Sequence, residues 1–219
     1  MNNPTVNLAN LINQNLPFSS ETLNNINIPQ STFAMDTGRY GSALVSSRIF
    51  ANKSLEDSEW IKITFLTLLG FGIYSIVVAN IFDINKIKQK NFRLAVDDLL
   101  KFGIMLVTLR LFSGDPLIDT NWILGSSFIL IGLVIYDFGT IHMVDTEKLH
   151  KLNKITNETR KALDDTIKFS TMFIISGFLT EQFNSTNQFL TKEWILECIG
   201  FIVGIVAYDY LLSKYFGDI

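Results

Sequence analysis

The hydrophobic residues of this chain are concentrated in five blocks, which polar segments separate. The blocks cover residues 60–82, 95–112, 122–144, 167–183 and 194–216. A helix of roughly 20 apolar residues crosses a hydrocarbon core about 30 Å thick, so each block is long enough to span a bilayer. The pattern predicts an all-α fold, a polytopic transmembrane bundle of about five helices within residues 60–219.

The segment before the first block has a different composition. Residues 1–59 are rich in Asn, Ser and Thr, with scattered Ile, Leu and Phe. Such a composition favours irregular structure that becomes ordered only against a partner. We therefore expect a largely irregular, polar N-terminal arm over residues 1–59, followed by the transmembrane domain.

Two of the segments that connect the blocks are strongly basic. Lys and Arg are frequent in residues 86–101 and 148–168, whereas residues 113–121 have none and residues 184–193 have only Lys192. The positive-inside bias places both basic segments on the cytoplasmic face. A five-span path follows, with the C-terminus on the cytoplasmic face and the N-terminus on the other. That path requires the N-terminal arm to cross the membrane together with its three basic residues, Arg39, Arg48 and Lys53.

The chain also contains an internal repeat, which covers residues 97–138 and 164–210. Asp97, Asp98, Lys101 and Phe102 recur 67 residues later as Asp164, Asp165, Lys168 and Phe169. Trp122, Gly132, Tyr136 and Asp137 recur 72 residues later as Trp194, Gly204, Tyr208 and Asp209. The first block repeats the second half alone, as Trp60, Gly70 and Tyr74, with Ser75 in place of the aspartate. The pattern predicts a bundle that is built from repeated helical hairpins.

Each recurring residue type suggests a role in a membrane helix. Trp60, Trp122 and Trp194 fall where a span begins, as expected of anchors at the level of the lipid headgroups. Gly70, Gly132 and Gly204 lie about three turns deeper, where a missing side chain lets neighbouring helices approach. Tyr74, Tyr136 and Tyr208 follow one turn later on the same face, so we expect them to line the same helix contacts.

The recurring carboxylates allow two interpretations. Asp97, Asp98, Asp164 and Asp165 precede their apolar blocks, so they are predicted to cap helix N-termini and to form intrahelical ion pairs with Lys101 and Lys168. Asp137 and Asp209 lie near the cytoplasmic ends of their spans. The alternative is that these two are pore-facing carboxylates, because ionisable groups inside a membrane are often functional.

Composition excludes several other classes of function. The net charge of −3 does not suggest nucleic-acid binding, and 48% hydrophobic residues with a mean hydropathy of +0.29 favour a lipid environment. His142 and His150 are too widely spaced for a typical metal motif. No catalytic arrangement or phosphate-binding glycine loop is evident, and Cys198 has no basic neighbour that would activate it. We therefore expect no enzyme activity, no cofactor and no metal.

A family resemblance lies in the repeated segments. Residues 97–138 read DDLLKFGIMLVTLRLFSGDPLIDTNWILGSSFILIGLVIYDF, and a weaker copy reads DDTIKFSTMFIISGFL and EWILECIGFIVGIVAYDY. This sequence resembles a small multi-pass membrane protein family of nucleocytoplasmic large DNA viruses. The second copy lacks the Ser113-Gly114 turn of the first, and residues 1–59 carry no part of the resemblance. The resemblance implies a virion component in the internal membrane beneath the capsid. It does not imply a reaction, and no catalytic residues can be carried over from it.

Two functions are therefore expected from different classes. The first is a structural protein that anchors the virion membrane to the capsid, as a minor capsid-associated protein. Its partners would be the lipid bilayer, capsid or other minor capsid proteins bound through residues 1–59, and further copies of itself in a homo-oligomer. The second is a small ion channel or transporter, which would use Asp137 and Asp209 as intramembrane carboxylates.

Overall fold

The computed structural model describes residues 30–82, 84–144, 146–152, 154–184 and 188–212. In these ranges the chain is helical and has no strand. The α-helices are α1 (Gln30–Phe50), α2 (Ser58–Asn80), α3 (Lys90–Ser113), α4 (Thr120–Phe138), α5 (Thr146–Lys151), α6 (Asn157–Asn184) and α7 (Lys192–Ala207). Two short 3-10 helices, Ile84–Lys86 and Thr140–His142, and a short π-helix, Tyr208–Leu212, complete the described fold.

The six long helices form a closed ring. Each packs against two neighbours, in the order α1, α2, α3, α4, α6, α7 and back to α1. The short helix α5 packs on α6. The first helix of the described chain therefore closes the ring against the last.

The ring consists of three antiparallel hairpins, α1–α2, α3–α4 and α6–α7. Near the end of α1 the guanidinium of Arg48 lies 5.6 Å from the ring centroid of Trp60, at the start of α2. Arg110 and Trp122 make the same contact, also at 5.6 Å, between α3 and α4. In the third hairpin Gly177 takes the place of the arginine, and Trp194 packs beside it. We call this side of the bundle the tryptophan end.

The second helix of each hairpin begins at a side-chain cap. Asp57, Asp119 and Thr191 accept hydrogen bonds from the backbone N–H groups of Trp60, Trp122 and Trp194, respectively. Caps of this kind satisfy N–H groups that have no partner within the helix. The hydrogen bond from the Trp60 amide and that from Arg48 hold the pKa of the exposed Asp57 below its ordinary value. At the C-terminal end of α3, the capping residue Gly114 has φ = +80°, a left-handed conformation suited to glycine.

Aromatic side chains fill the centre of the ring. Tyr40, Phe102 and Phe169, one from each of α1, α3 and α6, contact one another edge-on, with centroids 5.8–6.3 Å apart. Phe71, Leu133 and Ile205 from α2, α4 and α7 are at most 1% exposed and belong to the same core. The axis of the bundle is therefore closed at this level.

The structure corrects the predicted N-terminal arm. Residues 30–50 were expected to be irregular but form α1, and residues 1–29 lie outside the described residues. The prediction failed because α1 has no long apolar block. It is instead stabilised by burying a narrow face, with Tyr40 and Ala43 at most 4% exposed, against α2 and α7.

Three helices in the described part of the chain are long and apolar enough to cross a membrane. They are Ser58–Val77, Thr120–Phe138 and Lys192–Leu211. These match three of the five predicted spans. The other two, residues 95–112 and 167–183, lie within α3 and α6, whose first halves contain several charged residues.

Candidate functional site

A ring of three ion pairs connects the hairpins at the end of the bundle opposite the tryptophans. Each pair joins a basic residue of one hairpin to an aspartate of another: Lys101 to Asp36, Lys168 to Asp98, and Arg39 to Asp165. All six residues belong to α1, α3 and α6. We call this side of the bundle the charged end.

The ion pairs are largely shielded from solvent. Asp36, Asp98 and Asp165 are at most 9% exposed, and the Lys101 and Lys168 side chains are 15% and 18% exposed. Removing one partner of such a pair leaves a buried charge without compensation, which is costly. The ring of ion pairs therefore fixes how the three hairpins pack against one another.

This geometry corrects the predicted helix caps and intrahelical ion pairs. Asp97 and Asp98 lie two turns inside α3, which begins at Lys90, and Asp164 and Asp165 lie two turns inside α6, which begins at Asn157. Lys101 and Lys168 pair with aspartates of other helices rather than their own. The reason is burial: an aspartate and a lysine three residues apart share one face of a helix, and here that face points into the bundle.

The two neighbouring aspartates have different partners. Tyr74 donates a hydrogen bond to Asp97, and its ring lies 5.2 Å from the Lys101 ammonium. Asp164 accepts hydrogen bonds from Thr146, at 2.5 Å, and from Arg160, at 3.2 Å. These two carboxylates therefore lie on the outer side of the ring of ion pairs.

The ion pairs and the central aromatic contacts come from α1, α3 and α6, which we call the inner helices; α2, α4 and α7 are the outer helices. At the charged end, each outer helix places a different residue beside one of the three ion pairs. Ser75 donates a hydrogen bond to the Phe71 carbonyl of its own helix. Asp209 accepts one from Arg39, at 3.2 Å, so this guanidinium bridges Asp165 and Asp209. Asp137 is 1% exposed, and its Oδ2 atom accepts no hydrogen bond from the described residues.

The three recurring glycines, Gly70, Gly132 and Gly204, lie where two helix backbones approach each other closely. A Cβ atom on Gly70 would be 2.6 Å from the Cα atom of Met105, and one on Gly132 would be 2.8 Å from that of Met172. One on Gly204 would be 2.6 Å from the Cα atom of Ala43. Each contact joins the second helix of one hairpin to the first helix of the next, so the three contacts run around the ring in one direction.

The other two recurring tyrosines, Tyr136 and Tyr208, lie at the equivalent positions of the second and third hairpins. The ring of Tyr136 lies 6.0 Å from the Lys168 ammonium, and Tyr208 lies against Gly38. At the tryptophan end, Trp194 packs on Phe189 with their centroids 5.2 Å apart. The anchoring of the three tryptophans in a membrane interface stays a prediction.

Asp36 and Arg39 belong to the site and were not among the predicted residues. Their signal is present in the sequence: Asp36, Arg39 and Tyr40 precede Asp98, Lys101 and Phe102 by the same 62 residues that separate Trp60 from Trp122. The first copy was not recognised because Arg39 stands where the second copy has Lys101, and Tyr40 where it has Phe102.

The chain has no significant match among family models, curated proteins or solved structures. The functional assignment therefore depends on the residues of the site itself.

Within the described ranges no group of three or more His, Cys, Asp or Glu side chains could hold a metal ion. Nδ1 of His150 contacts the Ile155 carbonyl, at 3.0 Å, and Cys198 is half-buried as a free thiol.

A cavity of about 510 Å³ opens at the charged end between α3, α4, α5 and α6. Its walls combine apolar residues such as Leu94, Ile141 and Val144 with charged ones. At its rim, Glu147 accepts hydrogen bonds from Lys151 and Lys90, which lower the pKa of the Glu147 carboxyl to about 2. Asp137 lines the inner wall.

Proposed function

We propose that this chain is a structural membrane protein whose six-helix ring acts as a rigid anchor. The observation that carries the proposal is the ring of buried ion pairs above the aromatic contact of Tyr40, Phe102 and Phe169. Together they tie all three hairpins to one another and leave the bundle axis filled. A filled, cross-linked bundle suits a protein that holds a position rather than one that passes a solute along its axis.

We further propose that the domain consists of three copies of one helical hairpin, instead of the two and a half copies expected from the sequence. In support, the interhairpin contacts of Gly70, Gly132 and Gly204 occur once per hairpin at equivalent positions. The ion pairs and the central aromatic residues follow the same threefold pattern. The helix α1 supplies the first half of the first copy.

All six long helices are proposed to cross the bilayer, in place of five. The helices α2, α4 and α7 have the composition of spans. The helices α1, α3 and α6 pack between them and turn the charged residues of the ion-pair ring inwards. An even number of crossings places the N-terminus, the C-terminus and both basic segments on one side. Residues 1–29 then need not cross the membrane, and Arg48 and Lys53 reach the opposite side as part of the first hairpin.

Single-cysteine labelling should distinguish these two paths. In a Cys198→Ser background, Ser19→Cys and Lys148→Cys are expected to react with a membrane-impermeant maleimide from the same side of sealed vesicles, because an even number of helices separates them. Asp115→Cys, in the exposed loop after α3, serves as the control and should react from the other side. Labelling of Ser19→Cys from the Asp115 side would instead support the five-span path.

For the biological setting, we propose the internal membrane of a large DNA virus particle, with residues 1–29 binding capsid or other minor capsid proteins. The support is the sequence resemblance of residues 97–138, together with the polar composition of the N-terminal residues. A polar segment of this composition can cover an extended surface of a partner, provided that the contacts exceed the entropic cost of binding.

Protease protection with mass spectrometry on purified particles tests this setting. Peptides from residues 1–29 are expected to become cleavable only after the outer protein shell has been removed, because the shell covers them in the intact particle. Peptides from the loop at residues 114–119, on the opposite side of the membrane, serve as the control and should stay protected. Absence of the protein from particles, with recovery from host membranes, would contradict the virion proposal.

The alternative of a small channel or transporter relies on Asp137 and Asp209. These residues have different surroundings, because Asp209 pairs with Arg39 whereas Asp137 lines the cavity beside α5. A flux assay in proteoliposomes tests this alternative. It requires a conductance that the Asp137→Asn, Asp209→Asn double variant loses while keeping its helical content.

A further inference from the structure

One carboxylate oxygen of Asp137 has no hydrogen-bond donor among the described residues, whereas the equivalent residues of the other two hairpins have hydrogen-bond partners. Ser75 occupies the position in the first hairpin, and its hydroxyl is satisfied by a backbone carbonyl. Asp209 occupies it in the third, where the Arg39 guanidinium reaches both Asp209 and Asp165. In the second hairpin the corresponding basic residue is Lys168, which pairs with Asp98.

The difference follows from the shape of the two cations. A guanidinium offers five N–H donors in a planar fork and can bridge two carboxylates, whereas an ammonium is a compact charge. The Lys168 ammonium contacts Asp98 and makes no ion pair with Asp137 within the described residues. Asp98 and Asp137 lie side by side, so this sector has two carboxylates and one paired cation.

The other charged residues of the cavity do not supply the missing donor. Lys90 pairs with Glu147, and Arg160 pairs with Asp164. Asp137 lines the cavity, and its Oδ2 atom is buried and accepts no hydrogen bond from the described residues. A buried carboxylate oxygen without a donor is costly, and a ligand that donates to it gains accordingly.

We propose that the cavity is a binding site for a primary ammonium group, which donates a hydrogen bond to Asp137 in the place that Arg39 fills at Asp209. The cavity volume lies within the range of small-molecule sites, and Leu94, Ile141 and Val144 provide an apolar wall for the carbon atoms attached to the ammonium. A free amine and the headgroup of an aminophospholipid share this chemistry. The site does not depend on the proposed structural role, since it rests on the cavity and on the surroundings of Asp137.

Thermal unfolding of the full chain in phosphatidylcholine nanodiscs provides the test, because choline has no N–H to donate. Titrated ethylammonium is expected to raise the melting temperature in a saturable manner, as a ligand of the folded state does. Tetramethylammonium, at the same concentrations, should not. In a second arm, nanodiscs containing phosphatidylethanolamine should raise the melting temperature if the lipid headgroup is the source, whereas a response to ethylammonium alone identifies a free amine.

Two variants separate the site from general stability. Asp137→Asn is expected to weaken ethylammonium binding by about tenfold or more, since it removes a charge-assisted hydrogen bond. Lys168→Arg should abolish binding while the protein remains folded, because the new guanidinium can bridge Asp98 and Asp137 as Arg39 bridges its own pair. Asp115→Asn, in the exposed loop at the tryptophan end, is the control, because it removes a carboxylate that lies outside the cavity, and it should bind as the wild type does.

Three results would overturn the proposal. The first is the absence of a saturable shift in both arms, which would mean that the cavity binds no primary ammonium group. The second is equal stabilisation by tetramethylammonium. The third is unchanged affinity in Lys168→Arg, a variant that retains Asp137 and so remains informative even where Asp137→Asn fails to fold.

Discussion

Replacing Lys101 with methionine is expected to lower the free energy of unfolding by about 3–5 kcal/mol. Lys101 lies 3.1 Å from Asp36, and the two side chains are 15% and 10% exposed, so the substitution leaves a buried carboxylate without its cation. It also removes the ammonium that lies over the ring of Tyr74. Unfolding in mixed micelles, followed by circular dichroism, measures the change.

The double variant Lys101→Met, Asp36→Leu is the matched control. It removes both charges together and should recover most of the lost stability, because an apolar pair of similar volume replaces a buried ion pair at little cost. An intrahelical pair between Lys101 and Asp97 or Asp98 would give a different result. Its loss would cost only about 0.2–0.5 kcal/mol, so a value in that range would contradict the interhelical ring.

Replacing Gly132 with alanine is expected to destabilise the bundle by about 1–3 kcal/mol. The added Cβ atom would lie 2.8 Å from the Cα atom and 3.0 Å from the carbonyl oxygen of Met172, and backbone atoms cannot move aside as a flexible side chain can. The helices α4 and α6 must then separate, which also weakens the contact between Lys168 and Asp98. The same unfolding measurement reports the effect.

Gly125 provides the control in the same helix. A Cβ atom added there would meet nothing within 4 Å, so Gly125→Ala should be neutral or should stabilise the protein by about 0.5–1 kcal/mol through helix propensity. Equal effects of the two substitutions would show that loss of glycine, rather than the close approach to Met172, determines the stability.

The sequence predicted the outer helices far better than the inner ones. The blocks that begin at Trp60, Trp122 and Trp194 correspond to α2, α4 and α7, because a continuous apolar surface is a strong signal. By contrast, α1 has no such block, and its helical state is determined by burial of Tyr40 and Ala43 against distant parts of the chain. Local composition contains little information about a contact of that kind.

Most residues of the ion-pair ring were predicted from the sequence, but which aspartate pairs with which basic residue was not. Asp98, Asp165, Lys101 and Lys168 were recognised from the repeat, yet the spacing of three residues is equally compatible with a pair inside one helix and with pairs between helices. Only the arrangement of the three hairpins decides, since it places Lys168 beside Asp98 of the preceding hairpin. The difference between Asp137 and Asp209 likewise depends on which basic residue faces each of them.

The closure of the ring between α1 and α7 has a consequence for biosynthesis. Ala43 meets its partner Gly204 only after α7 has left the ribosome, so α1 waits with one face open while the other hairpins are added. During that interval the open ring presents two unpaired edges, one on α1 and one at the growing end. Two nascent chains on one polysome can satisfy these edges with each other. Closure within one chain joins helices that lie far apart in the sequence, so we expect it to compete with the exchange of hairpins between neighbouring chains.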